Sequence, residues 1–68
     1  MSYSVWNTAK YKGRKIETIM ARTENGDPVG VFWIVDGDLT RGYRSGKDAK
    51  SAISGVRPRW GFVNLSTK

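Results

Sequence analysis

The sequence predicts a small α+β domain: a three- to four-stranded antiparallel sheet in meander order, with one short α-helix from the C-terminal half packed on one face. Three observations predict it. Two hairpin signals, Asn25-Gly26 and Asp36-Gly37, bracket an unbroken apolar run from Val29 to Val35. Asn-Gly and Asp-Gly pairs favour tight hairpins because a type I′ turn needs positive φ at both central residues. After Ser45 the apolar spacing changes from that of a strand to that of a helix.

The elements follow in order. Residues 1–15 are a poorly defined basic N-terminal segment, in which Tyr3 and Val5 alternate with serines as in an edge strand. Gly13 marks a turn. Ile16–Thr23 is rich in β-branched residues and reads as the first clear strand. Pro28 stands at the mouth of the next, where its missing N–H costs little. Val29–Val35 is apolar on both faces, as expected of a central strand covered on both sides. Leu39–Arg44 follows as the third strand.

Ser45-Gly-Lys-Asp48 matches a capping box, with Ser45 accepting the Asp48 N–H and the Asp48 carboxylate reaching back to the Ser45 N–H. Ala49, Ala52, Ile53 and Val56 then share one helical face. Gly55 suits the left-handed position after the helix, and Pro58 prevents continuation. Trp60–Leu65 supplies one more short strand or a covering segment.

Two-residue turns would set Thr23 opposite Pro28, Ile19 opposite Phe32, Met20 opposite Val31 and Ile34 opposite Leu39. One face would then carry Ile19, Phe32, Ile34, Leu39 and Tyr43, and the other Ile16, Met20, Val31, Trp33 and Val35. A three-residue loop at Asp36–Asp38 would swap the faces of the third strand. The helix covers one face only. The other needs the terminal segments, a second subunit or a ligand.

The 68 residues suffice for a single domain, residues 1–68, and exclude two. The absence of cysteine and histidine excludes disulfides and thiolate metal sites, and removes the commonest metal ligand and general base. Asp36 and Asp38 are explained by hairpin chemistry, and no glycine spacing matches a phosphate loop. A non-enzyme without cofactor, metal or small-molecule substrate is expected. The longest strongly apolar run is far shorter than the roughly 20 residues of a membrane helix, and the N-terminus lacks a secretory pattern. A cytoplasmic protein that does not enter membranes is the expectation.

Twelve Lys and Arg against six Asp and Glu give a formal charge of +6 and a pI near 10.1. Such a surface favours polyanions. The candidate nucleic-acid-binding residues fall in three groups. Lys10, Lys12, Arg14 and Lys15 surround Tyr11; Arg41, Arg44, Lys47 and Lys50 recur every third residue; Arg57, Arg59 and Trp60 follow the helix stop. Arg44 and Lys47 flank the helix start, where free N–H groups could meet a phosphate. Duplex DNA is the favoured partner. In element order alone, three strands then a helix, the chain resembles the small N-terminal domains of some tyrosine recombinases and certain plant transcription factors. That resemblance implies a sheet laid in the major groove.

The bland reading makes these cations solvated surface residues, and makes Trp33 core. The rival function is protein interaction: a homodimer, an inhibitor or an assembly module that masks an acidic partner, as phage and mobile-element accessory proteins do.

Overall fold

The computed structural model describes residues 2–66 and carries five strands in a single antiparallel sheet of order β1-β2-β3-β4-β5. These are β1 (Ser2–Tyr11), β2 (Arg14–Arg22), β3 (Pro28–Val35), β4 (Gly42–Tyr43) and β5 (Phe62–Val63), with α1 (Gly46–Ile53) between the last two. The α+β meander with one short helix is as the sequence predicts. Its sheet is wider at both ends, because the N-terminal segment forms a ten-residue edge strand and the tail adds a two-residue one.

Tyr11 and Arg14 close the first hairpin around Lys12 (φ 51°) and Gly13 (φ 78°). Both central residues are left-handed, as a two-residue turn matching the strand twist requires.

The second hairpin corrects an expectation. Thr23, not Glu24, closes it: its N–H donates to the Asp27 carbonyl at 2.8 Å, and the Gly26 N–H donates to the Thr23 carbonyl at 3.0 Å. The loop is therefore three residues long, with Gly26 (φ 87°) in the left-handed position. Arg22, rather than Thr23, faces Pro28. A bulge at Val29 then inserts one residue into β3, so Ala21 faces Gly30 and the expected pairs Ile19–Phe32 and Met20–Val31 are restored.

At Asp36-Gly37 the two-residue turn forms as expected, with φ of 53° and 75° and the Asp38 N–H donating to the Val35 carbonyl at 3.0 Å. The expected third strand does not follow. The Asp38 carboxylate accepts the Thr40 N–H at 3.0 Å and the Thr40 hydroxyl, which folds residues 38–41 into a second turn. Pairing resumes only at Trp33–Tyr43. Tyr43 consequently lies on the Trp33 face, not with Ile19, Phe32 and Ile34.

Each sheet face has its own core. Ile19, Ala21, Phe32, Ile34 and Leu65 form one, with Leu39 and Val63 packed against it. The tail covers this face: the Leu65 N–H donates to the Leu39 carbonyl at 2.7 Å, and Gly42 lets the Leu65 side chain lie directly over the backbone. On the opposite face α1 sets Ala49, Ala52 and Ile53 over Ile16, Trp33, Val35 and Tyr43. The terminal segment is thus what covers the second apolar face.

Ser45 caps α1 by accepting the Asp48 N–H at 3.1 Å. The reciprocal half of the capping box is absent. The buried Asp48 carboxylate turns instead to the chain beyond the helix, accepting the N–H of Arg59 at 3.3 Å and of Trp60 at 3.2 Å. At the other end Gly55 (φ 78°) ends the helix as expected. Its N–H donates to Ala52, and that of Val56 donates to Ser51. Val56 has left the helix by then and is exposed, so it does not extend the apolar face.

Candidate nucleic-acid interface

β1 extends past the cover of α1, leaving a cleft between the helix and the first hairpin. Its floor is Asn7, Ala9, Ile16, Thr18 and Trp33, and its rim carries Lys10, Tyr11, Gly46 and Lys50. The register explains the floor. Ala9 faces Ile16, Asn7 faces Thr18 and Thr18 faces Trp33, so these side chains share the helix side of the sheet. Gly46 permits the approach of helix to sheet, since a Cβ there would stand 3.3 Å from the Trp33 indole nitrogen.

Cations from two distant parts of the chain converge on one ring. The Lys12 ammonium, from the first turn, lies 5.5 Å from the Tyr11 ring centroid, and the Lys50 ammonium, from α1, lies 5.4 Å from it. Lys12 also donates to the Ser54 hydroxyl at 2.9 Å. The ring quadrupole attracts each ammonium, but the two repel each other. The Tyr11 phenol reports the resulting field: the Ser54 hydroxyl beside it, Lys12 and Lys50 hold its pKa below the ordinary tyrosine value.

Among the described residues no acidic one lines the cleft. Acidic groups near other cations are engaged elsewhere. Arg14 pairs with Asp36 and Lys15 with Glu17, the latter at 3.7 Å. Asp36 also accepts the Lys15 N–H at 3.0 Å; that bond first, and Arg14 next, hold its carboxyl below the usual range. Thr40 does the same for Asp38. Among the described residues Lys10, Lys12 and Lys50 form no ion pair.

The structure thus brings Lys12 and Lys50 together at Tyr11, with Lys10 lining the same cleft from the next position of β1, and separates other candidates from them. Arg14 and Arg41 line a second cleft beside Asp36, Asp38, Ala52 and Ile53. Arg41 lies 5.3 Å from the Phe62 ring centroid. The every-third-residue recurrence from Arg41 to Lys50 therefore does not make one stripe, because the turn at residues 38–41 directs its first member to another cleft. Arg44, Lys47 and Arg57 are exposed. Arg59 lies over Trp60, itself 63% exposed, on the segment held by Asp48. The helix start already has a polar partner in the Ser45 hydroxyl.

Sequence reasoning did not single out Asn7, Thr18 or Ser54. Asn7 and Thr18 are polar residues on a strand face beside an apolar core, a signal visible only once the register is known. The chain matches no family model, and no curated protein or solved structure matches it.

Proposed function

We propose that this protein is a non-catalytic nucleic-acid-binding module that grips the phosphate backbone, duplex DNA first, in the cleft between α1 and the first hairpin. The observation that carries the reading is the convergence of Lys12 and Lys50 on Tyr11, with Lys10 on the same rim and no carboxylate among them. Like charges gathered without a counter-ion are relieved by an anion, and a phosphate chain supplies anions at regular spacing.

Duplex is favoured over single strand because the Tyr11 ring is already attended by two ammoniums and is not a free stacking platform. The exposed Trp6 and Trp60 are not among the residues lining the cleft. No helix among the described residues is long and apolar enough to cross a membrane.

The test is fluorescence anisotropy against random-sequence duplex DNA, single-stranded DNA and duplex RNA at about 50 and 200 mM salt. Three phosphate contacts predict a log–log salt slope of about −2.7, an affinity loss of about 40-fold across that range. Lys50→Glu and Lys12→Glu should each weaken binding and flatten the slope by about one unit or more. Arg22→Glu, the same charge change at the far hairpin tip, should do much less. Absence of binding at 50 mM, or equal losses for all three variants, would overturn the proposal.

A further inference from the structure

We infer that β1 is a self-association edge: two copies of this chain pair antiparallel through their β1 strands to form one continuous sheet. The inference does not rest on nucleic-acid binding.

β1 is a ten-residue outer strand, with a row of backbone N–H and C=O groups that no other strand meets. Exposed edges of this length are usually protected by charge, proline or shortness. Here residues 1–9 contain no charge and no proline, the longest uncharged run in the chain. Tyr3, Val5 and Trp6 are 45%, 47% and 59% exposed, so apolar surface accompanies the open edge. On residues 2–9 the only protective device is the bulge between Val5 and Asn7. The opposite edge, β5, is two residues long.

Charge selects the occupant. Two copies, each formally +6, repel wherever their cations approach, and β1 is the long edge on which they can meet without doing so. An acidic partner, which the rest of the surface attracts, finds no cation on residues 2–9. Antiparallel pairing about a two-fold axis is also self-complementary. Centred on Val5 and Trp6, it puts each Ala9 opposite the partner's Ser2. The two Lys10 are then about 30 Å apart at 3.3 Å per residue, well beyond the Debye length of about 8 Å at physiological salt. The axis stands perpendicular to the sheet, so both helices lie on the same side.

Light scattering after size exclusion tests this without nucleic acid, over roughly 5–300 μM protein. The wild type should move from monomer to dimer with concentration. Val5→Lys and Trp6→Lys, both at exposed positions, should remain monomeric at every concentration while keeping the wild-type circular dichroism. Since the chain has no cysteine, Val5→Cys and Lys47→Cys give clean oxidative cross-linking probes. The first should cross-link and the second should not. A wild type monomeric at 300 μM, or a dimer that survives both lysine variants, would overturn the inference.

Discussion

The carboxylate of Asp48, in the first turn of α1, accepts the backbone N–H of Trp60 twelve residues away at 3.2 Å, and that of Arg59 at 3.3 Å. One buried side chain therefore joins the helix start to the segment that leads into β5 and the covering tail. The helix N-terminus favours its negative charge, and the two N–H groups replace the water it has lost.

Removing that link leaves two backbone donors without their acceptor. Asp48→Ala should cost about 1–3 kcal/mol, since the Arg59 and Trp60 donors are only partly buried and water replaces some of what they lose. That is a large share of the roughly 3–10 kcal/mol available to a domain of this size. Asp48→Asn keeps an acceptor oxygen and should lose less. Urea unfolding measures both, and hydrogen exchange at the Arg59 and Trp60 amides shows whether the segment has detached before the sheet melts.

Gly42 lies where a Cβ would stand 2.5 Å from Leu65 Cδ1 and 3.3 Å from the Val63 carbonyl oxygen. Gly42→Ala should cost about 1–3 kcal/mol through overpacking and displace the tail from Ile19 and Ile34. Loss of amide protection at Leu65, read by hydrogen exchange, is the expected local sign. Gly37→Ala, at φ 75° with open space around it, strains its turn without that loss.

Tyr11 should ionise at lower pH than an ordinary tyrosine, because the Ser54 hydroxyl, Lys12 and Lys50 favour the phenolate. An acid with a depressed folded pKa contributes stability above its unfolded value and loses it as pH falls through the folded one. The contribution therefore grows as pH rises toward and past 10. Tyrosinate absorbance of the wild type minus Tyr11→Phe isolates the group, and Lys50→Ala should move it upward. Bound polyanion should do the same by neutralising both lysines, a readout of occupancy independent of affinity.

Asp36 has the same sign at the acid end. Its carboxyl is held low by the Lys15 N–H and by Arg14, so its contribution is present above the ordinary carboxylate pKa and lost as pH falls through the folded value. The urea midpoint of Asp36→Asn should lie below wild type at pH 7, with the gap closing by about pH 2. Asparagine is the suitable probe because it tolerates the φ of 53° at this position.

Local chemistry made much of this fold legible. Asp36-Gly37 predicts its own turn, Ser45 and Gly55 predict both ends of α1, and the apolar run at Val29–Val35 predicts the central strand. Features that depend on contacts distant in sequence were not legible. Tyr43 changed face because the Asp38 side chain, rather than a backbone ladder, shaped the next three residues. Half of the capping box failed because Asp48 had better donors at Arg59 and Trp60. In the site, the basic cluster around Tyr11 was readable. The choice of Lys50 as its distant companion, with Arg41 assigned elsewhere, needed the hairpin, the helix and the turn between them.

The extra residue at Val29 insulates the register of the core from the hairpin tip. The tip of the second hairpin can be closed by the same residues in another way: Glu24 opposite Asp27 around Asn25-Gly26, with Val29 drawn into the ladder. Both arrangements leave Ala21 opposite Gly30 and Ile19 opposite Phe32. The present one is held by the Asp27 N–H on the Thr23 hydroxyl at 3.2 Å and by Arg22 on the Gly26 carbonyl at 3.2 Å. The bulge thus absorbs a one-residue difference at the rim, so the inner pairs keep the register of the core whichever way the tip is closed.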